Sequence, residues 1–84
     1  MKTPVYLKRN TNIGRTYSVK ITEGSVMTVT DDKIEIEGLN DDCIEKEVGW
    51  YKTTDSFMLV DSTREEFDED LKKIVGIINE ASNV

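Results

Sequence analysis

Residues 63–81, TREEFDEDLKKIVGIINEA, decide the fold class. Thr63 followed by Glu66 matches the capping box, in which a threonine and a glutamate three positions on satisfy the exposed amides of a helix start. Acids at 65, 66, 68, 69 and 70 crowd the first two turns, where the helix dipole favours them. Phe67, Leu71, Ile74, Val75, Ile78 and Ala81 fall on one stripe at ~100° per residue. Asp68–Lys72 and Glu69–Lys73 stand four apart in the order that stabilises a helix surface. The spacing predicts one amphipathic C-terminal helix over about residues 63–81. Gly76 lies opposite the apolar stripe and Ile77 at its edge.

Upstream the period shortens from 3.6 to 2. Val5–Arg9 is a short mixed run ending in the turn-forming stretch NTNIG at 10–14. In TYSVKI, residues 16–21, Tyr17, Val19 and Ile21 point one way and Ser18 and Lys20 the other. Glu23-Gly24 is a tight turn into the β-branched run SVMTVT at 25–30. Asp31-Asp32 breaks that run, and KIEIE at 33–37 alternates again, with Ile34 and Ile36 on one face and charges on the other. Residues 38–42, GLNDD, form the next turn.

Residues 43–52, CIEKEVGWYK, fit two periods. Ile44 and Val48 are four apart, and Asn40 suits the cap of a short helix. Ile44, Val48 and Trp50 equally share a strand face, with Glu45 and Glu47 opposite, and the strand is the favoured reading. SFMLV at 56–60 is a continuous apolar run, the pattern of a central strand covered on both sides. The expected fold is α+β: an antiparallel β-meander of about five or six strands over residues 4–60, with one C-terminal helix packed on one face. The opposite face is then polar or engaged by a partner. A chain of 84 residues fits a single domain, residues 1–84, and buries only about 60% of its unfolded surface. Self-association as a homodimer is a natural supplement to so small a core.

The net charge of −6 is unevenly laid out. Residues 1–22 contain Lys2, Lys8, Arg9, Arg15, Lys20 and no acid, whereas residues 23–84 hold all 17 acids against six basic residues. A net negative field repels phosphate backbones. The alternative is nucleic-acid binding by the basic N-terminal hairpin, where Tyr6 and Tyr17 interleave with the cations as in a stacking platform. No run approaches the ~20 apolar residues of a membrane span, and the N-terminal residues lack the apolar core of a signal peptide. The one cysteine, Cys43, suits a reducing compartment, and the expected location is the cytoplasm.

No catalytic, cofactor or metal residues stand out. The chain has no histidine, the commonest general base and a frequent metal ligand. Cys43 lies among Asp41, Asp42 and Glu45, whose charge opposes thiolate formation, so it reads as a small buried apolar residue. No phosphate-binding glycine loop or nucleophile elbow is present, and neither Asp31-Asp32 nor Asn40-Asp41-Asp42 has the ligand spacing of a calcium loop. The sequence therefore points to a non-catalytic protein-binding module.

Helix-dipole compensation accounts for the acids from Glu65 to Asp70, but not for Glu35, Glu37, Asp41, Asp42, Glu45 and Glu47. Like charges on neighbouring strands cost stability, so these six are the candidate surface for a protein partner with a basic surface. In size and acidity the chain resembles many small phage-encoded proteins that inhibit host enzymes or defence complexes. The resemblance is one of type, carried by no motif, and transfers no residues.

Overall fold

A computed structural model describes residues 2–9, 16–39, 43–53 and 58–82, and these build an α+β fold of five strands and two helices. The elements in chain order are β1 (Val5–Arg9), β2 (Tyr17–Thr22), β3 (Ser25–Thr30), β4 (Ile34–Gly38), α1 (Ile44–Thr53), β5 (Leu59–Asp61) and α2 (Arg64–Ser82). β1 to β4 form an antiparallel meander, and β5 returns to pair with β1, giving the order β4-β3-β2-β1-β5. Among the described residues no helix is long and apolar enough to cross a membrane.

The β2–β3 hairpin turns on Glu23-Gly24, as its sequence predicts. Gly24 takes a left-handed φ of 86°, which a two-residue hairpin loop requires and glycine adopts without a Cβ penalty. Thr22 and Ser25 face each other across the loop, with their hydroxyls 2.8 Å apart.

The sheet separates two cores because successive residues of a strand point to opposite faces. Leu7, Val19, Ile21, Val26 and Leu59 pack on one face with Val48 and Tyr51 of α1. Val29, with the half-buried Tyr6, Met27 and Ile34, packs on the other with Phe67 and Ile74 of α2, and Leu71 and Ile78 lie at the margin of this cluster. The molecule is therefore a sheet between two helices. The expected open face is covered, and it is covered by the segment read as a strand. In α1 the apolar residues Ile44, Val48 and Tyr51 recur at helical spacing. Trp50, which strand parity would bury beside Val48, is 47% exposed, whereas Tyr51 is 7% exposed. Cys43 sits just before this helix, where its carbonyl accepts hydrogen bonds from the amides of Lys46 and Glu47 at 3.1 and 3.2 Å. Off the buried stripe, Cys43 is exposed and not the buried residue expected.

The last strand also differs from expectation. The predicted run at 56–60 was a central strand, but β5 spans three residues at the sheet edge. Met58 precedes it with a left-handed φ of 43°, which ends any straight extension towards the N-terminus, and residues 56 and 57 lie outside the described residues.

α2 begins as predicted. The Glu66 amide donates to Thr63 Oγ1 at 3.2 Å, and the Phe67 amide donates to the Thr63 carbonyl at 3.0 Å. The Glu66 carboxylate accepts from Ser62 Oγ at 2.8 Å and from Lys8 Nζ at 3.0 Å, tying the helix start to β1. Ser62 and Lys8, in that order, hold its carboxyl below the usual carboxylate range. Further along, Asp70 accepts from the hydroxyl of the buried Ser18, which satisfies the polar side chain that alternation places under α2. Val75, assigned to the buried stripe, is exposed, as are Gly76 and Ile77, and a Cβ on Gly76 would meet open space.

Candidate functional site

Cross-strand register places the candidate acids. Glu35 is opposite Thr28, and Glu37 is opposite Val26, so both side chains lie on the face of the sheet that α1 covers. Both are exposed, because β4 is the outermost strand and α1 lies over β2 and β5. Glu45 is exposed in the first turn of α1, whereas Glu47 is 4% exposed, on the side of the helix that also buries Val48 and Tyr51. The structure thus gathers Glu35, Glu37 and Glu47 at the α1 side of the sheet, from a strand and a helix and not from neighbouring strands. Asp41 and Asp42 belong to the β4–α1 connection and lie outside the described residues.

Two tyrosines sense this charge. Burial is the main cause that pushes Tyr17 up to about 12, with Tyr51, Glu35 and Glu37 adding to the rise and Arg9 opposing it. Tyr51 is raised by burial first, then by Glu47 and Glu37, against a hydrogen bond with Thr28. The spectrophotometric titration of tyrosinate should therefore show one hydroxyl ionising near pH 12, and Tyr17→Phe should remove that step. A raised folded value means that the neutral hydroxyl favours the folded state. Its contribution is intact below pH 10, the ordinary tyrosine value, and is lost as pH climbs toward about 12. A titration in which every tyrosine ionises near pH 10 would contradict the burial of Tyr17.

Two cations on this side of the sheet are held by acids. Lys33 reaches Glu35 at 2.8 Å, an exposed pair of small energetic worth, and Lys52 of α1 reaches Asp61 at 2.8 Å. Among the described residues no cation lies within ion-pair distance of Glu37.

The basic hairpin is partly absorbed by the protein itself. Lys8 pairs with Glu66 at 3.0 Å, and the Arg9 guanidinium lies 5.4 Å from the centre of the Tyr17 ring. Arg9 and Tyr17 line a hollow of about 410 Å³ with Thr16, Thr30, Asp31, Asp32 and Lys33, whose opposite charges favour no single class of ligand. Among the described residues no group of three or more acidic or cysteine side chains could hold a metal ion.

The burial of Glu47 escaped sequence reasoning, since an acid alternating with apolar residues reads as solvated. The exposure of Ile36, 65% on the other face of β4 between Glu35 and Glu37, also escaped it. The position of β4 at the sheet edge explains it, and only the strand order reveals that position. No family model matches the chain, and comparisons with curated proteins and with solved structures find no significant similarity.

Proposed function

We propose that this protein is a non-catalytic binding module that recognises the basic surface of another protein through the face formed by β4 and the start of α1. The observation that carries the reading is the pairing of Glu35 and Glu37 on the outermost strand, exposed, with Lys33 the one cation that reaches either of them among the described residues and with the buried Glu47 on the same side of the sheet. Adjacent like charges on one strand face repel, which is a cost to folding. A concentrated field steers a basic partner and speeds encounter. Three of the acids of α2 are occupied differently: Glu66 holds Lys8, Asp70 holds Ser18, and Asp68 lies 3.7 Å from Arg64. Inhibition of an enzyme or a nucleic-acid-processing complex is the activity such a module would exert, by covering a basic channel that otherwise receives phosphates.

The test compares two charge reversals of equal size. Glu35→Lys with Glu37→Lys alters the proposed face, and Glu65→Lys with Glu69→Lys alters exposed positions on α2. Proteins captured from a cell lysate by the wild type are expected to be retained by the α2 variant and lost by the β4 variant. Equal loss from both variants would reduce the interaction to net charge, and retention by both would remove the β4 face from recognition.

A further inference from the structure

The two edges of the sheet are unlike. β5 closes one edge with three residues. β4 forms the other with five, and all five keep register with β3 without a bulge. Natural edges are usually blunted by shortness, proline, a bulge or charge, because their outer amides and carbonyls template further pairing. Among the described residues β4 shows only the charge, and only on one face. Glu35 and Glu37 point to the α1 side, while Ile34 and Ile36 lie on the α2 side. Ile36 is opposite the half-buried Met27 and is 65% exposed.

We propose that β4 accepts an extended segment of the partner as a sixth strand, one that alternates basic and apolar side chains. This rests on the protein-binding reading above and specifies its mode. Backbone hydrogen bonds to the outer edge of β4 would give affinity, and alternation would give selectivity. Basic residues of the added strand would stand beside Glu35 and Glu37 on the α1 face, and its apolar residues beside Ile36 on the α2 face.

The same charges tell the edge apart from its own copy. Antiparallel pairing of two β4 strands centred on Ile36 would set Glu35 of each opposite Glu37 of the other, like charge against like. The charge pattern therefore excludes a second copy and admits a basic strand, whereas mere edge protection would exclude every strand.

Two measurements test this. In the first, a short synthetic peptide alternating lysine and valine is compared with a peptide of the same composition in two blocks and with an alternating glutamate–valine peptide. The alternating lysine peptide is expected to bind at least about tenfold tighter than the blocked one and to slow amide exchange across β4. The glutamate peptide is expected not to bind. In the second, Glu35→Lys alone makes the edge complementary to itself, so this variant is expected to dimerise by sedimentation equilibrium. The wild type and the Glu35→Lys, Glu37→Lys double variant are expected not to pair through β4. Equal binding of the alternating and blocked peptides would leave recognition by charge standing and overturn the added strand. A monomeric Glu35→Lys variant, or a wild type that dimerises through β4, would overturn it as well.

Discussion

Replacing Phe67 with alanine is expected to remove about 3–5 kcal/mol of stability, the usual loss for a fully buried aromatic ring. Phe67 is the largest side chain in the core under α2, 2% exposed, with its ring 5.6 Å from that of Tyr6. It holds the first turns of α2 to the sheet at the place where Glu66 meets Lys8. Small domains have only about 5–15 kcal/mol in total, so the variant should approach unfolding at physiological temperature. Leu71→Ala, at a half-buried position of the same cluster, should cost less. Urea denaturation measures both, and a loss below about 0.5 kcal/mol for Phe67→Ala, within the range of surface substitutions, would mean that α2 is not docked as described.

The second large effect separates adjacent residues. Tyr51→Ala is expected to cost about 3–5 kcal/mol, since it empties the α1 side of the core beneath Val19 and Leu7. Trp50→Ala should cost about 1 kcal/mol, the worth of one edge-to-face ring pair, because Trp50 meets Tyr51 at 5.0 Å but is otherwise half in solvent. The order matters more than either value. A strand at 43–52 buries Trp50 with Ile44 and Val48, whereas a helix buries Tyr51. A larger loss for Trp50→Ala than for Tyr51→Ala would restore the strand.

That pair of aromatics also marks where the sequence stops being legible. Ile44 and Val48 satisfy both periods, and the choice depends on what lies beneath them. Once β5 has returned to pair with β1, the face bearing Leu7, Val19 and Ile21 needs an apolar cover, and α1 is the segment positioned to give it. No local propensity contains that information. The α2 cap at Thr63 and the turn at Gly24 are local devices, and both were readable from a few residues. The shared face of Glu35 and Glu37 follows from alternation alone. Their place on the outermost strand, and the burial of Glu47, follow from topology.

Electrostatic steering by the acidic face has a kinetic signature. Encounter with a basic partner should be fast at low salt and slow steeply as ionic strength rises, because screening acts over about 10 Å at 0.1 M. Glu47 is unsuited to the measurement, since a lysine at that buried position would disturb folding itself. Glu35 and Glu37 are exposed, so their reversal reports on the surface. The decisive measurement is the association rate constant of the captured partner as a function of salt, for the wild type and for Glu35→Lys with Glu37→Lys. The double variant is expected to associate more slowly at low salt and with a flatter salt dependence. An unchanged rate at low salt in the folded variant would contradict steering by this face.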